Sequence, residues 1–369
     1  RRARIRRALV INAEHRRMVG WPNKRFLELV GSELPIVQAP MAGAGGVELC
    51  VAAIRGGALG SLPCALLSPD QVRTQVAEVR AQVDGPFALN FFCHRMPQEA
   101  DDSAWRALLR PYYDEFGVEP GNGGAMRLPF DEEMCRIVEE LRPPVVSFHF
   151  GLPDQGLLDR VRTAGAIVMG NATTVEEAQW LERRGVDSII AQGFEAGGHT
   201  GRFLGSVSAE AMGLFSLLPQ IVDSVSVPVI AAGGIADGRG IAAAFALGAS
   251  AVQLGTAYLH APEAPISDVH RRRLSDGRTI FTNLLTGGLA RGVHGRLVDE
   301  LGPVRAEVPP YPLASAALAP IRAAAEKQGE YGFGPMWAGQ SGPLGKPLPA
   351  AGLTRTLAAD ALAILGGGA

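Results

Sequence analysis

Short apolar runs recur along the chain, each closed by a glycine or polar corner and followed by a stretch of helical periodicity. They read PIVQAP (35–40), LGSLPC (59–64), FALNFF (87–92), VVSFHF (145–150), AIVMGN (166–171), SIIAQ (188–192), PVIAA (228–232) and AVQLG (251–255). Continuous apolar runs of this kind predict parallel strands covered on both faces. Helices are predicted between them over 48–57, 68–83, 131–142, 154–164, 174–184, 209–223 and 237–247. Ser68 before Pro69, and Thr174 three residues ahead of Glu177, supply helix starts. Eight β-then-α units predict an α/β fold, a (β/α)8 TIM barrel, better than an open sheet.

Two segments exceed a minimal barrel. Residues 93–130 separate the third strand from its helix and are expected at the carboxyl ends of the strands, as an insertion placed to act as a lid. The tail, 260–369, is longer than one closing helix. Its Ala-rich stretch 314–327 reads as helix and 331–347 as ordered loop. The expected arrangement is a barrel over 22–259 and a C-terminal helical subdomain covering its mouth. Part of the tail would return as the last barrel helix.

Composition narrows the function classes. Hydrophobic residues make up 47% and charged residues 20%, with a net charge of −2, so neither a disordered nor a nucleic-acid-binding chain is described. No apolar run reaches membrane-spanning length. Four cysteines lie far apart without C-x-x-C pairing, the usage of a reducing, cytoplasmic compartment. The basic arm over 1–21 is a local exception: the first 25 residues hold eight Arg, one Lys and a single acid, Glu14. An organelle presequence has that composition, but an upstream extension or peripheral arm is the more economical reading.

Glycines mark the candidate chemistry. GGIADG (233–238) follows the seventh run and Gly255-Thr256 the eighth. In a barrel these two corners commonly hold a phosphate on backbone N–H groups. The glycines after the first run, 43–46, do not form a dinucleotide fingerprint, because Glu48 stands where the spacing requires glycine. Asn90 and Gln192, ending the third and sixth runs, carry amides suited to the polar edge of an isoalloxazine. A flavin across the barrel mouth fits these positions together.

The loop GFEAGGHTG (193–201) puts His199 and Glu195 among four glycines, which let a backbone approach a flat or anionic group closely. His199 is expected to be little buried there. Glu195 reads first as a loop-ordering carboxylate for a backbone or guanidinium partner. In SFHFG, alternation puts Ser147 and His149 on one face and Phe148 and Phe150 on the other, so His149 lies inside the barrel or in the site. Seven histidines occur without metal-ligand spacing.

The series QAPMAG (38–43), NFF (90–92), SFHFG (147–151), AQGFEAGGHTG (191–201), AAGGI (231–235), QLGTAYL (253–259) and WAGQ (337–340) resembles the nitronate monooxygenases, formerly 2-nitropropane dioxygenases. SFHFG and WAGQ resemble their class I branch. The resemblance runs from about Pro22 to Gln340. It implies an FMN-dependent TIM barrel that oxidises alkyl nitronates, propionate 3-nitronate foremost, with dioxygen to a carbonyl product and nitrite or nitrate. It implies FMN contacts at Met41, Asn90, Gln192, Gly197, Gly198, Gly234, Gly255 and Thr256, with Gly233 and Gln253 in the same matching stretches. His199 would be the catalytic histidine and His149 a second one on the substrate side. No metal, nucleic acid or membrane is implied, and a homodimer is compatible. An imidazole at 199 can take a proton from a neutral nitroalkane or, when protonated, pair with the nitronate anion. Two other readings stay open. One is an NADH-dependent FMN reductase acting on quinones or enoyl-ACP. The other is a flavin-free lyase or isomerase for a phosphorylated substrate.

Overall fold

The computed structural model describes residues 20–98, 101–121, 126–205 and 211–366. The basic arm falls almost wholly outside them. Eight parallel strands form one sheet: β1 (Ile36–Gln38), β2 (Gly60–Pro63), β3 (Phe87–Phe92), β4 (Val145–His149), β5 (Ile167–Ala172), β6 (Ser188–Gln192), β8 (Val229–Ala232) and β9 (Ala251–Leu254). The two-residue β7 (Gly198–His199) belongs to a second sheet. Neighbours run β1-β9-β8-β6-β5-β4-β3-β2, and Val37 bridges Leu59 so that β1 meets β2. The ring is a TIM barrel.

Period-2 alternation explains its two layers. Val37, Leu59, Ala88, Val145, Met169, Ile190, Ile230 and Ala251 fill the interior, joined by Phe26 and Val30 of α1 (Arg25–Val30). Their strand neighbours, such as Leu89, Val146, Val168, Ile189 and Val252, pack outward in a larger core. That core is shared with α2 (Val47–Arg55), α3 (Pro69–Arg80), α5 (Glu132–Leu141), α6 (Gln155–Thr163), α7 (Val175–Arg183), α8 (Leu214–Ser224) and α9 (Gly238–Ala246).

Local sequence sets the helix starts. Ser68 accepts from the Gln71 N–H and Gln71 Oε1 from the Ser68 N–H, a reciprocal cap. Thr174 caps α7 through the Glu177 N–H, but Glu177 does not reach back. Its buried carboxylate accepts from Thr173, Phe203 and Leu204 instead, tying down the loop beyond β7.

The inserted segment and the tail meet each other. Within the insertion, α4 (Ser103–Phe116) buries Trp105, Leu109 and Tyr113 against Leu297, Leu318, Ile321 and Phe333. These come from α12 (Arg296–Leu301), α13 (Ala314–Lys327) and the loop beyond it; α10 (Thr256–Leu259) and α11 (Asp268–Arg273) precede them. Tyr113 donates to the Ala317 carbonyl at 2.7 Å. The last helix, α14 (Ala350–Leu365), packs on α9 and α2. The tail also holds a hairpin absent from the sequence-based expectation, β10 (Thr279–Thr282) and β11 (Ala290–Val293), whose second strand pairs with β7. Four-residue strands in a glycine-rich tail give too little alternation to read. Among the described residues no helix is long and apolar enough to cross a membrane.

Candidate active site

Above the carboxyl ends of the strands lies a cavity of about 580 Å³, within the usual size of small-molecule and cofactor sites. All twelve residues singled out from sequence line it: Met41, Asn90, His149, Gln192, Gly197, Gly198, His199, Gly233, Gly234, Gln253, Gly255 and Thr256.

One end is built from backbone. Gly233 and Gly234, directly after β8, take φ of 104° and 72°, a region that side chains disfavour. Gly255 caps α10, whose first N–H groups lack carbonyl partners within the helix. These corners lie on neighbouring strands, and their N–H groups fit a phosphate. The tail closes over them: Ser341 Oγ donates to the Gly234 carbonyl at 2.6 Å, and the Gly339 N–H donates to Thr256 Oγ1 at 2.8 Å.

The two amides differ. Asn90 Nδ2 donates to Ser147 Oγ at 2.9 Å, leaving its Oδ1 free to accept from a ring N–H. Gln192 is largely engaged within the protein. Its Oε1 accepts from Asn171 Nδ2 at 3.1 Å and from the Gly201 N–H at 2.8 Å, and its Nε2 donates to the His199 carbonyl at 2.9 Å. Gln192 therefore fixes the His199 loop as much as it presents an edge to a ligand.

His199 departs from the expectation of an exposed loop residue. It is 8% exposed and pairs in β7 with Ala290 of β11. Its Nε2 lies 2.8 Å from Thr286 Oγ1, and the rings of Tyr311 and Trp337 pack at 5.0 and 5.4 Å. Burial first, then the charge of Arg127 and the neighbouring His149 and His94, hold its pKa well below the usual histidine value. Burial likewise pushes His149 down to about 4. Both imidazoles are neutral near pH 7. His199 is thus available as a base and not as the cation that would pair with a nitronate.

Two further expectations change, and one holds. The loop glycines clear space for protein more than for a ligand: a Cβ at Gly197 would stand 2.5 Å from the Ala338 carbonyl carbon, and one at Gly201 would meet Asn171 and His149. Phe150 does not share the face of Phe148. Its φ of 66° ends the alternation and turns its ring onto His149, Tyr311 and His199. Glu195 takes the loop-ordering role, both oxygens accepting from the Leu214 N–H that opens α8. Arg291 of β11 braces the same loop, donating to the Phe194 carbonyl with its guanidinium between the Phe194 and Phe281 rings.

Arg127, Thr286, Tyr311 and Trp337 were not singled out from sequence. None lies in a periodic run, and Trp337 stood in a matching stretch without an assigned role. Only the tertiary fold brings them to His199.

Comparison with known proteins adds to this geometry. A family described as nitronate monooxygenase matches residues 23–360. A nitronate monooxygenase from Paraburkholderia phytofirmans is 41% identical over 345 residues, 90% of this chain and 94% of the relative. One from Pseudomonas aeruginosa is 40% identical over 343 residues, 90% and 97% of the two chains. Among solved structures, a nitroalkane oxidase from Streptomyces ansochromogenes superposes with a TM-score of 0.83 at 36% identity, covering 91% of this chain and 97% of that one. FabK from Thermotoga maritima superposes with a TM-score of 0.69 at 26% identity, covering 94% and 98%.

Proposed function

The chain belongs to the nitronate monooxygenase family and is an oxidoreductase; from that premise we propose that it binds FMN and oxidises alkyl nitronates, propionate 3-nitronate foremost, with dioxygen. One observation carries the reading: a single cavity joins glycine corners suited to a phosphate with a buried, neutral His199. FMN would supply the electron acceptor and the route to dioxygen. Gly233, Gly234, Gly255 and Thr256 would hold its phosphate, and Asn90 Oδ1 would accept from its ring edge.

The protein's own part is proton handling and exclusion of water. A neutral nitroalkane must lose its α-proton, and the neutral imidazole of His199 can take it. A nitronate needs no such step, so His199 then serves as a neutral hydrogen-bonding wall. Phe92, Phe150, Tyr311 and Trp337 surround the ring and keep bulk water from it. A cytoplasmic setting is supported by the four cysteines, all free thiols.

The likeness to FabK favours a second reading, in which NADH reduces the flavin. Oxygen uptake with propionate 3-nitronate separates the two. The first reading expects uptake and nitrite release without any nicotinamide; uptake that requires NADH would overturn it.

A further inference from the structure

The tail segment 337–342 touches both glycine corners, and two buried histidines grip it on either side of those contacts. His270 of α11 donates from Nε2 to the Trp337 carbonyl at 3.1 Å. His260, directly after α10, donates from Nε2 to the Gly342 carbonyl at 2.9 Å. A carbonyl can only accept, so each imidazole carries its proton on Nε2. The two rings are 6% and 7% exposed, and burial lowers the pKa of both. Each ring therefore works as a neutral donor that holds backbone.

Between the two gripped carbonyls lie the residues that reach the corners. Ser341 Oγ donates to the Gly234 carbonyl, and the Gly339 N–H donates to Thr256 Oγ1. The second bond decides how Thr256 can act. A hydroxyl has one proton and two lone pairs. With a lone pair given to Gly339, its proton finds no acceptor among the described residues. Thr256, Gly339 and Ser341 all line the cavity. An unspent O–H there suits an anionic oxygen, and hydrogen bonds to charged acceptors are roughly twice as strong as neutral ones.

The segment needs holding. Residues 339–345 include three glycines, whose backbone loses the most conformational freedom on ordering. Gly339 has no room for a side chain, since a Cβ would stand 2.8 Å from the Glu195 carbonyl oxygen. The Gln340 N–H donates to that same carbonyl at 3.0 Å. The histidines supply the only side-chain grips on the carbonyls at either end, among the described residues.

We propose that His260 and His270 are positioning residues for the cofactor phosphate. By holding the Gly342 and Trp337 carbonyls they keep Gly339 on Thr256, and so keep the Thr256 proton for the phosphate. The proposal rests on the FMN reading above and deepens it: residues away from the glycine corners govern affinity for the phosphate and not for the ring system.

The test is the flavin affinity of the full chain, stripped of bound flavin and titrated by fluorescence quenching. FMN is compared with riboflavin, which lacks the phosphate. When His260→Phe and His270→Phe are combined, two hydrogen bonds are lost; FMN affinity falls roughly tenfold and riboflavin affinity stays within about twofold. His260→Gln and His270→Gln keep a donor and restore most of the FMN affinity. Thr256→Val weakens FMN binding to a similar extent. In that background the two Phe substitutions cost no more than about twofold further, because they act through the same hydroxyl. If the Phe variants fold poorly, His260→Asn and His270→Asn, too short to reach the carbonyls, make the same comparison with losses of about fivefold each. Equal losses for FMN and riboflavin would show a merely structural grip and overturn the proposal. Unchanged FMN affinity, or losses additive with Thr256→Val, would overturn it too. A wild type that binds FMN no more tightly than riboflavin would overturn it and leave the flavin reading standing; a wild type that binds neither flavin would overturn both.

Discussion

The two ends of the cavity are made in opposite ways. At β8 and β9 the protein offers almost only backbone: Gly233 and Gly234 with positive φ, and Gly255 opening a short helix. Around His199 it offers side chains, drawn from β3, β4, the inserted segment and the tail. A backbone cradle is rigid, takes one shape of anion, and at Gly233 and Gly234 depends on a positive φ that side chains disfavour. A side-chain pocket can be changed one residue at a time without disturbing the ring of strands. The conserved architecture of a TIM barrel makes the first kind of site recur, and the loops above it make the second kind vary.

Breaking each end in turn should give different symptoms. The largest effect is expected at the side-chain end. His199→Asn keeps a donor of similar size but removes the base, so turnover of a neutral nitroalkane should fall ~10²–10⁴-fold. Nitronate turnover should fall far less, and steady-state rates on both substrates check this. Equal losses would show that His199 orients the substrate and is not the base.

At the backbone end the symptom is lost cofactor. Gly255→Asp should sharply reduce the FMN content of the purified protein by setting a carboxylate against the phosphate. Gly255→Ala should retain FMN, since a Cβ there meets Ala39 and Met41 only at ordinary distances of 3.6 and 3.7 Å. Gly234 is a poorer test, because its φ strains any side chain. Full FMN content in Gly255→Asp would move the phosphate elsewhere.

A smaller effect tests the support of the base. Thr286→Val keeps the shape beside His199 but removes the hydrogen bond at 2.8 Å. A bond of ~0.5–1.5 kcal/mol corresponds to a roughly two- to tenfold loss on neutral nitroalkanes, with FMN content unchanged.

The smallest effect is spread over the histidines. His94 and His149 have folded pKa values lowered to about 4 from an ordinary value of 6.5. Between those values the unfolded chain binds protons that the folded one does not. Stability should therefore fall as pH drops from 6.5 toward 4, and change little from these groups above 6.5. Urea unfolding across that range reads it directly. Burial also holds the His199 pKa well below the usual histidine value, so its base form is the populated one at pH 6.5 and above.

The same contrast explains what could be read in advance. All eight barrel strands were legible, because buried parallel strands are unbroken apolar runs, and so were the glycine corners after β8 and β9 that are proposed to hold a phosphate. The other end was legible only at His199 and His149, which sit at strand ends or in a glycine loop. Arg127 and Tyr311 are 184 residues apart in the chain, one in the inserted segment and one in the tail, two regions that share an apolar core through α4 and α13. The burial of His199 was equally hidden, since it depends on the tail hairpin that pairs with β7. Local pattern predicts what neighbours in sequence build together; it does not show which distant loop will cover them.

The most direct test of the account is the visible absorption spectrum of the purified, FMN-loaded protein before and after anaerobic addition of propionate 3-nitronate. The account predicts that the oxidised flavin absorption is lost on adding the nitronate alone and returns when air is admitted. An oxidised spectrum that the nitronate leaves untouched, and that only NADH changes, would contradict it.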